Sequence, residues 1–109
     1  MSIVISGRHF KETPALKKYA QQKIAKFYRH HKEILKIEVV MDSEVAHRGK
    51  ESDFIIEINV HVPGHTFEVK DLERDMYKAI DKASDKMVRI LTKDKEKHQA
   101  RRFSSRANS

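Results

Sequence analysis

The sequence predicts an α+β fold: a two-layer sandwich in which two helices cover one face of a four-stranded mixed sheet, in the order β-α-β-β-β-α. Three observations carry this. Four segments alternate apolar and polar residues with the period of two that a sheet buried on one face requires. Two segments repeat apolar residues every three or four positions, giving each a single apolar stripe. Thr13-Pro14 and Pro63-Gly64 punctuate the chain where a helix and a tight turn should begin.

Residues 2–6 (SIVIS) place Ile3 and Ile5 on one side and Val4 on the other, a short strand, and residues 7–12 connect it to a helix. Thr13 supplies the N-cap, and Pro14 sits at the first helical position, where its missing N–H costs nothing. That helix is expected to run to about His31, with Leu16, Ala20, Ile24 and Phe27 inward and Tyr19 at the edge. In residues 35–45, Ile37, Val39 and Met41 alternate with Glu38, Val40 and Asp42. In residues 52–62, Phe54, Ile56, Ile58, Val60 and Val62 share one face, and Ile55, Glu57, Asn59 and His61 share the other. A polar loop, residues 46–51, separates these two strands. Pro63-Gly64 turns the chain into a shorter strand, residues 65–70, with Phe67 and Val69 inward. The first two strands flank a helix and are expected to be parallel, with a right-handed crossover; the others should meander antiparallel.

The last helix is expected to begin near Asp71 as cap, with Glu73 and Asp75 at its positive end. Leu72, Met76, Ala79, Ile80, Ala83, Met87, Ile90 and Leu91 form its apolar stripe. Asp94 falls on that stripe, so regular packing is expected to fade there. Residues 98–109 have almost no apolar content and are expected to form a flexible basic tail, leaving residues 1–97 as the folded domain.

The chain has 109 residues, one domain's worth, of which 36% are charged and 39% hydrophobic. Its net charge is +7 and its pI about 9.7. Residues 86–109 carry eight Lys or Arg and two acids, so nearly all the excess lies at the C-terminal end. Such asymmetry implies a phosphate-rich partner or an anionic surface, or else merely a solvated face. Cysteine is absent, which removes disulfides and thiolate metal sites. No basic residue precedes the short N-terminal apolar run, and no stretch reaches transmembrane length, so a cytoplasmic protein is expected.

The pattern of the last helix separates the readings. Lys78, Lys82, Lys86, Arg89 and Lys93 are spaced by four, four, three and four residues and stack along one side of the helix. Like charges at this spacing repel, so helix stability does not account for the row. A polyanion laid along it would relieve the repulsion, which points to nucleic acid. In the first helix, Lys23, Lys26 and His30 share one flank. If that flank faces the ladder, the two basic rows line a common groove; otherwise they are separate surface lysines. A membrane partner fits poorly, because no Trp or Phe accompanies the stripe.

Catalytic and metal readings find little. Seven histidines, among them His30, His31, His61 and His65, follow no ligand spacing, and they read as surface residues. There is no GxSxG and no Walker loop, and Gly7, Gly49 and Gly64 are isolated. The chain is read as a non-enzyme with neither metal nor cofactor. Tyr77 either packs over the helix edge or contacts a base or ribose. Phe103, between Arg102 and Arg106, is a second aromatic that could stack on a base or stand idle.

Two motifs carry a resemblance. Residues 75–81 read DMYKAID, followed by Lys86, Arg89, Leu91, Lys93 and Lys97 at distinctive spacing. Upstream, ISGRHFKETPALKKYAQQKIAKF contains TPAL at the helix start, then Lys23 and Lys26. Together these resemble the bacterial ribosome hibernation factors, the group of short hibernation promoting factors and translation inhibitors also called sigma-54 modulation proteins. The resemblance covers roughly residues 2–102. It implies the β-α-β-β-β-α fold, similar in outline to double-stranded RNA-binding domains. It also implies binding to the small ribosomal subunit and its 16S rRNA, within the 70S ribosome, across the paths of messenger RNA and the A- and P-site transfer RNAs, with translation repressed in stationary phase or stress.

Carried onto this chain, the resemblance implies rRNA contacts at Lys23, Lys26, Lys86, Arg89, Lys93 and Lys97, with Arg101 and Arg102. Lys78 and Lys82 join them from the helical pattern alone. Two positions depart from the family: Ile90 stands where relatives commonly have Gln, and Ala83 where a larger apolar residue is usual. The basic ending RRFSSRANS favours the hibernation-promoting branch. The expected partners are the small subunit and the ribosome, with neither DNA nor membrane, and the protein alone is expected to be a monomer. The alternatives are a general structured-RNA-binding module acting off the ribosome, and a protein-interaction adaptor.

Overall fold

A computed structural model describes residues 2–45 and 52–107, with side chains for residues 2–44 and 53–97. The loop expected at residues 46–51 lies outside the described residues, as do the side chains of Arg101, Arg102 and Phe103. The elements are β1 (Ser2–Arg8), α1 (Pro14–Ala25), α2 (Phe27–His30), β2 (Lys36–Val45), β3 (Ser52–Val62), β4 (His65–Glu73) and α3 (Met76–Ala107). The strands lie in the order β1-β2-β3-β4. The β1–β2 pair is parallel, and β2–β3 and β3–β4 are antiparallel. The fold is therefore the α+β sandwich that alternation and periodicity imply.

The register explains the single core. Ile5 pairs with Val39, Val39 with Ile58 and Ile58 with Val69, so one apolar row crosses all four strands. Ile37, Val39, Met41, Ile56, Ile58 and Val60 are almost wholly buried on this face. Leu16, Ala20, Ile24 and Phe27 close it from α1 and α2, and Met76, Ala79, Ile80, Ala83, Met87 and Leu91 from α3. The opposite face is open and carries Glu38, Glu57 and Asn59 in adjacent rows.

Local chemistry sets the element ends. Thr13 is extended, and its Oγ1 accepts from the Leu16 N–H at 3.2 Å, the cap expected of Thr before Pro14. Gly64 has φ 77° and follows Pro63, the Pro-Gly arrangement of a type II turn. Gly7 permits a close approach, since a Cβ there would sit 2.0 Å from the Phe10 carbonyl oxygen. His9 then takes φ 52°, held by the Ser43 hydroxyl donating to its carbonyl at 2.6 Å.

Several expectations are corrected. The first helix does not run unbroken to His31. Lys26 N–H turns back to the Lys23 carbonyl at 3.3 Å, a tightened turn that divides α1 from α2. Next, β4 extends to Glu73, because β3 is long enough to pair Leu72 with Ile55 and Glu73 with Phe54. Leu72 is therefore half exposed on the open face and not part of the α3 stripe. Asp75, not Asp71, caps α3: its Oδ1 accepts from Tyr77 N–H at 3.0 Å and its carbonyl from Ala79 N–H at 3.0 Å.

A further correction concerns one contact. His31 is buried, not a surface histidine. Its Nε2 lies 2.9 Å from Asp94 Oδ2, and its Nδ1 accepts from Glu33 N–H at 3.2 Å. Asp94 on the apolar stripe is thus matched by a polar ring, and Leu91 is the last buried residue of α3 among the described side chains, so apolar packing ends near Asp94 as expected. The helical backbone of α3 also continues past Lys97 to Ala107, through residues that include neither Gly nor Pro.

The two helical layers are stapled across their contact. The Tyr19 hydroxyl donates to Asp81 Oδ1, which also lies 3.2 Å from Lys23 Nζ. Tyr19 meets Tyr77 edge to face at 5.0 Å, and the Lys23 ammonium lies 5.6 Å from the Tyr19 ring centroid. The Tyr19 hydrogen bond, then Lys23, lowers the Asp81 pKa. The same hydrogen bond and burial raise that of Tyr19. The Asp81 partner raises that of Lys23.

Phe27→Ala should destabilise the domain by about 3–5 kcal/mol in urea unfolding, as expected for removing a fully buried ring. Tyr19→Phe should cost about 1 kcal/mol at neutral pH, the staple being partly exposed. Because the folded pKa of Asp81 is depressed, its contribution is present above the unfolded carboxylate pKa, about 3.9, and is lost as pH falls through the folded value. The difference between the two proteins should therefore shrink in acid; an equal difference at pH 7 and pH 2 would contradict it.

Candidate nucleic-acid interface

The apolar stripe of α3 is fixed on the sheet, and this sets the direction of every other side chain on the helix. At 100° per residue, Tyr77, Asp81, Val88 and Thr92 fall on the flank that meets α1 and α2. There Asp81 receives Tyr19 and Lys23, and Thr92 Oγ1 lies 3.4 Å from His30 Nδ1. Lys82, Lys86, Lys93 and Lys97 fall on the opposite flank, toward β4. Lys78 and Arg89 lie between, on the outward ridge.

This placement separates the two basic rows. Lys23 does turn toward α3, but it meets the Asp81 flank, and the ladder runs down the other side. The shared groove expected between Lys23, Lys26 and the ladder does not form. Lys26 is exposed beside α3, and Lys23 is half-buried in its ion pair. Tyr77 packs on Tyr19, the helix-edge arrangement, and stays about 40% exposed.

The groove the structure does form lies between β4 and α3. It is shallow and open, about 400 Å³, and is lined by Glu68, Val69, Lys70, Lys86, Arg89 and Ile90. Val69 and Ile90 give it an apolar floor, and three cations outweigh one carboxylate at its rim. Ile90, singled out as a family departure, thus forms a wall of the groove and is partly buried against the core.

Carboxylates on β4 reach into the ladder. Lys86 Nζ donates to Asp71 Oδ1 at 2.6 Å, and Lys82 Nζ lies 3.3 Å from Glu73 Oε1. Asp71 is buried and Lys86 about half exposed. Among the described residues no carboxylate pairs with Lys78, Arg89, Lys93 or Lys97, whereas Lys26 is among the charges that lower the Asp81 pKa. These four are the cations of α3 available to an external anion.

Reading from sequence missed Asp71 and Glu73 as partners because they were assigned to a helix start. The signal lay in the period of two: Phe67, Val69, Asp71 and Glu73 share the inward face once β4 is long enough. It also missed a polar chain on the open sheet face. There His61 Nε2 lies 2.5 Å from Glu38 Oε1, and His61 Nδ1 lies 3.0 Å from Thr66 Oγ1. This carboxylate–imidazole–hydroxyl order ties β2, β3 and β4 together. Among the described residues no group of three or more His, Cys, Asp or Glu is placed to hold a metal ion. No described helix is long and apolar enough to cross a membrane.

Comparison with known proteins identifies the family. A ribosome hibernation promoting factor of Pseudomonas putida is 33% identical over 100 residues, spanning 92% of each chain. That of Azotobacter vinelandii is 36% identical over 97 residues, 89% of this chain and 85% of the relative. A ribosome hibernation promotion factor of Deinococcus radiodurans is longer; the match is 30% identical and covers 94% of this chain but 53% of that one. Among solved structures, a ribosomal subunit interface protein from Coxiella burnetii superposes with a TM-score of 0.73 at 26% identity, over 88% of this chain and 99% of the other. The Protein Y N-terminal domain of Thermus thermophilus gives 0.71 at 29% identity, over 85% and 98%. The family model described as sigma 54 modulation protein / S30EA ribosomal protein matches residues 3–99, and the chain belongs to this family.

Proposed function

We propose that this protein is a ribosome hibernation factor that docks on the 16S rRNA of the small subunit through the β4–α3 side of the domain. The observation that supports this reading is the ladder's direction: α3 buries one stripe and turns a row of cations toward solvent and β4, four of them having no internal partner. Relatives carrying the name ribosome hibernation promoting factor point to the same partner.

Folded rRNA presents phosphates and 2′-hydroxyls more readily than base edges, so recognition rests on shape and charge. Lys78, Arg89, Lys93 and Lys97 span about five helical turns, roughly 28 Å, and follow a phosphate backbone along that length. The groove between β4 and α3 receives the neighbouring strand. Lys23 acts through the staple that sets α1 against α3, and Lys26 adds charge on the α1 side. Arg101 and Arg102 extend the basic helix. A domain seated there occupies the paths of messenger RNA and of the A- and P-site transfer RNAs, so translation is repressed by occupancy, without bond chemistry and without a cofactor. The setting is the cytoplasm, in stationary phase or stress, with the whole 70S ribosome as the assembled target.

Association with small subunits should weaken by about four decades per tenfold rise in salt if about five phosphates are engaged. Arg89→Glu with Lys93→Glu should abolish co-sedimentation with small subunits in sucrose gradients at moderate salt. Both side chains are exposed and unpaired, so unfolding free energy should change by no more than about 0.5 kcal/mol. Undiminished co-sedimentation of a folded double variant would reject the ladder as the docking surface. Lys86→Glu is a poorer probe, because it would set a second carboxylate beside buried Asp71.

A further inference from the structure

Asp71 and Glu73 occupy two cations of the ladder, Lys86 and Lys82. Asp71 is about 93% buried, its Oδ1 accepts from Lys86 Nζ at 2.6 Å, and its Oδ2 is buried with no hydrogen-bond partner. Glu73, two residues along the same strand face, lies 3.3 Å from Lys82 Nζ. Strand residues two apart and helix residues four apart therefore match, and two carboxylates of β4 engage two consecutive rungs of the ladder.

We propose that Asp71 and Glu73 are specificity-determining residues for RNA: they hold Lys86 and Lys82 as positioned donors and withdraw their charge from generic polyanion binding. The inference rests on the reading of α3 as the RNA-facing element. Non-specific affinity for nucleic acid comes from released counterions, one for each phosphate neutralised by a free cation. A lysine already matched by a carboxylate releases little. It still has N–H donors besides the one given to Asp71 or Glu73, in a fixed direction, and those reward an RNA whose acceptors lie where the groove points. Generic duplexes gain little from such a donor, and a shape-matched target gains fully. Discrimination thus comes from withholding attraction from the wrong partner.

The test measures affinity for a generic RNA duplex and for purified small subunits across a salt series, using the full chain, Asp71→Asn and Glu73→Gln. Each variant should bind the duplex about threefold to tenfold more tightly at low salt. Its slope of log affinity against log salt should steepen by about one unit, the contribution of one freed cation. Affinity for small subunits should rise less or fall, so the preference for subunits narrows. The gain of Asp71→Asn should vanish in a Lys86→Met background, which a merely structural role for Asp71 would not produce. Glu73 is partly exposed, so its variant keeps the test open if Asp71→Asn fails to fold. Duplex affinity and slope equal to or below those of the parent, in the folded variants, overturn the inference. Failure of the parent to bind subunits, with the duplex gain intact, would instead sink the ribosomal reading alone.

Discussion

The whole arrangement depends on one packing constraint: the sheet has a single apolar face, and α3 must lay its stripe on it. Ile56, Ile58, Val60 and Val69 leave α3 little choice of rotation, because turning the helix by one residue would move Met87 and Leu91 off the sheet and bring charged side chains onto it. Everything functional follows from that rotation. The acidic flank goes to α1, where Asp81 takes up Tyr19 and Lys23. The basic flank goes to β4 and to solvent.

The basic flank solves its own electrostatic problem in two ways. Lysines four residues apart on a helix repel one another, and an unmatched row would fray the element that carries it. Asp71 and Glu73 answer two rungs from the adjacent strand. Lys78 and Arg89 on the ridge and Lys93 on the β4 flank remain free, where solvent screens them. The result is a surface that stays folded alone yet keeps charge for a polyanion. The buried pair of Asp71 and Lys86 is poor evidence of stabilisation, since desolvation opposes the attraction. Its value lies in where it holds the ammonium.

Much of the fold was legible in the chain because it is written locally. Thr13-Pro14, Pro63-Gly64, the alternation of Phe54, Ile56, Ile58, Val60 and Val62, and the Met76-to-Leu91 stripe each report through neighbours within a few residues. The family motif reported through the same stretch. What escaped is written across distance. Asp71 looked like a cap because Asp before a helix usually is one; its place in β4 was set by the length of β3. His31 and Asp94 each looked misplaced, one polar at a core edge and one acidic on an apolar stripe, and they resolve each other across 63 positions. The ladder, a single row by spacing, divides in the structure: Lys82, Lys86 and Lys93 turn toward β4, and Lys78 and Arg89 outward. Which flank of α3 meets α1 depended on Tyr19 and Asp81, 62 residues apart.

The proposed docking is directional: rRNA would lie against the outward and β4-facing sides of α3, with the open sheet face pointing away. Because the chain has no cysteine, a single thiol can be placed at will. The most direct test attaches a short photoactivatable cross-linker to Asp85→Cys, on the exposed ridge of α3, or to Glu57→Cys, on the open sheet face, and irradiates each with small subunits. Cross-links to 16S rRNA from position 85 and few or none from position 57 are the expected result. Efficient rRNA cross-links from position 57 with none from position 85 would contradict the account.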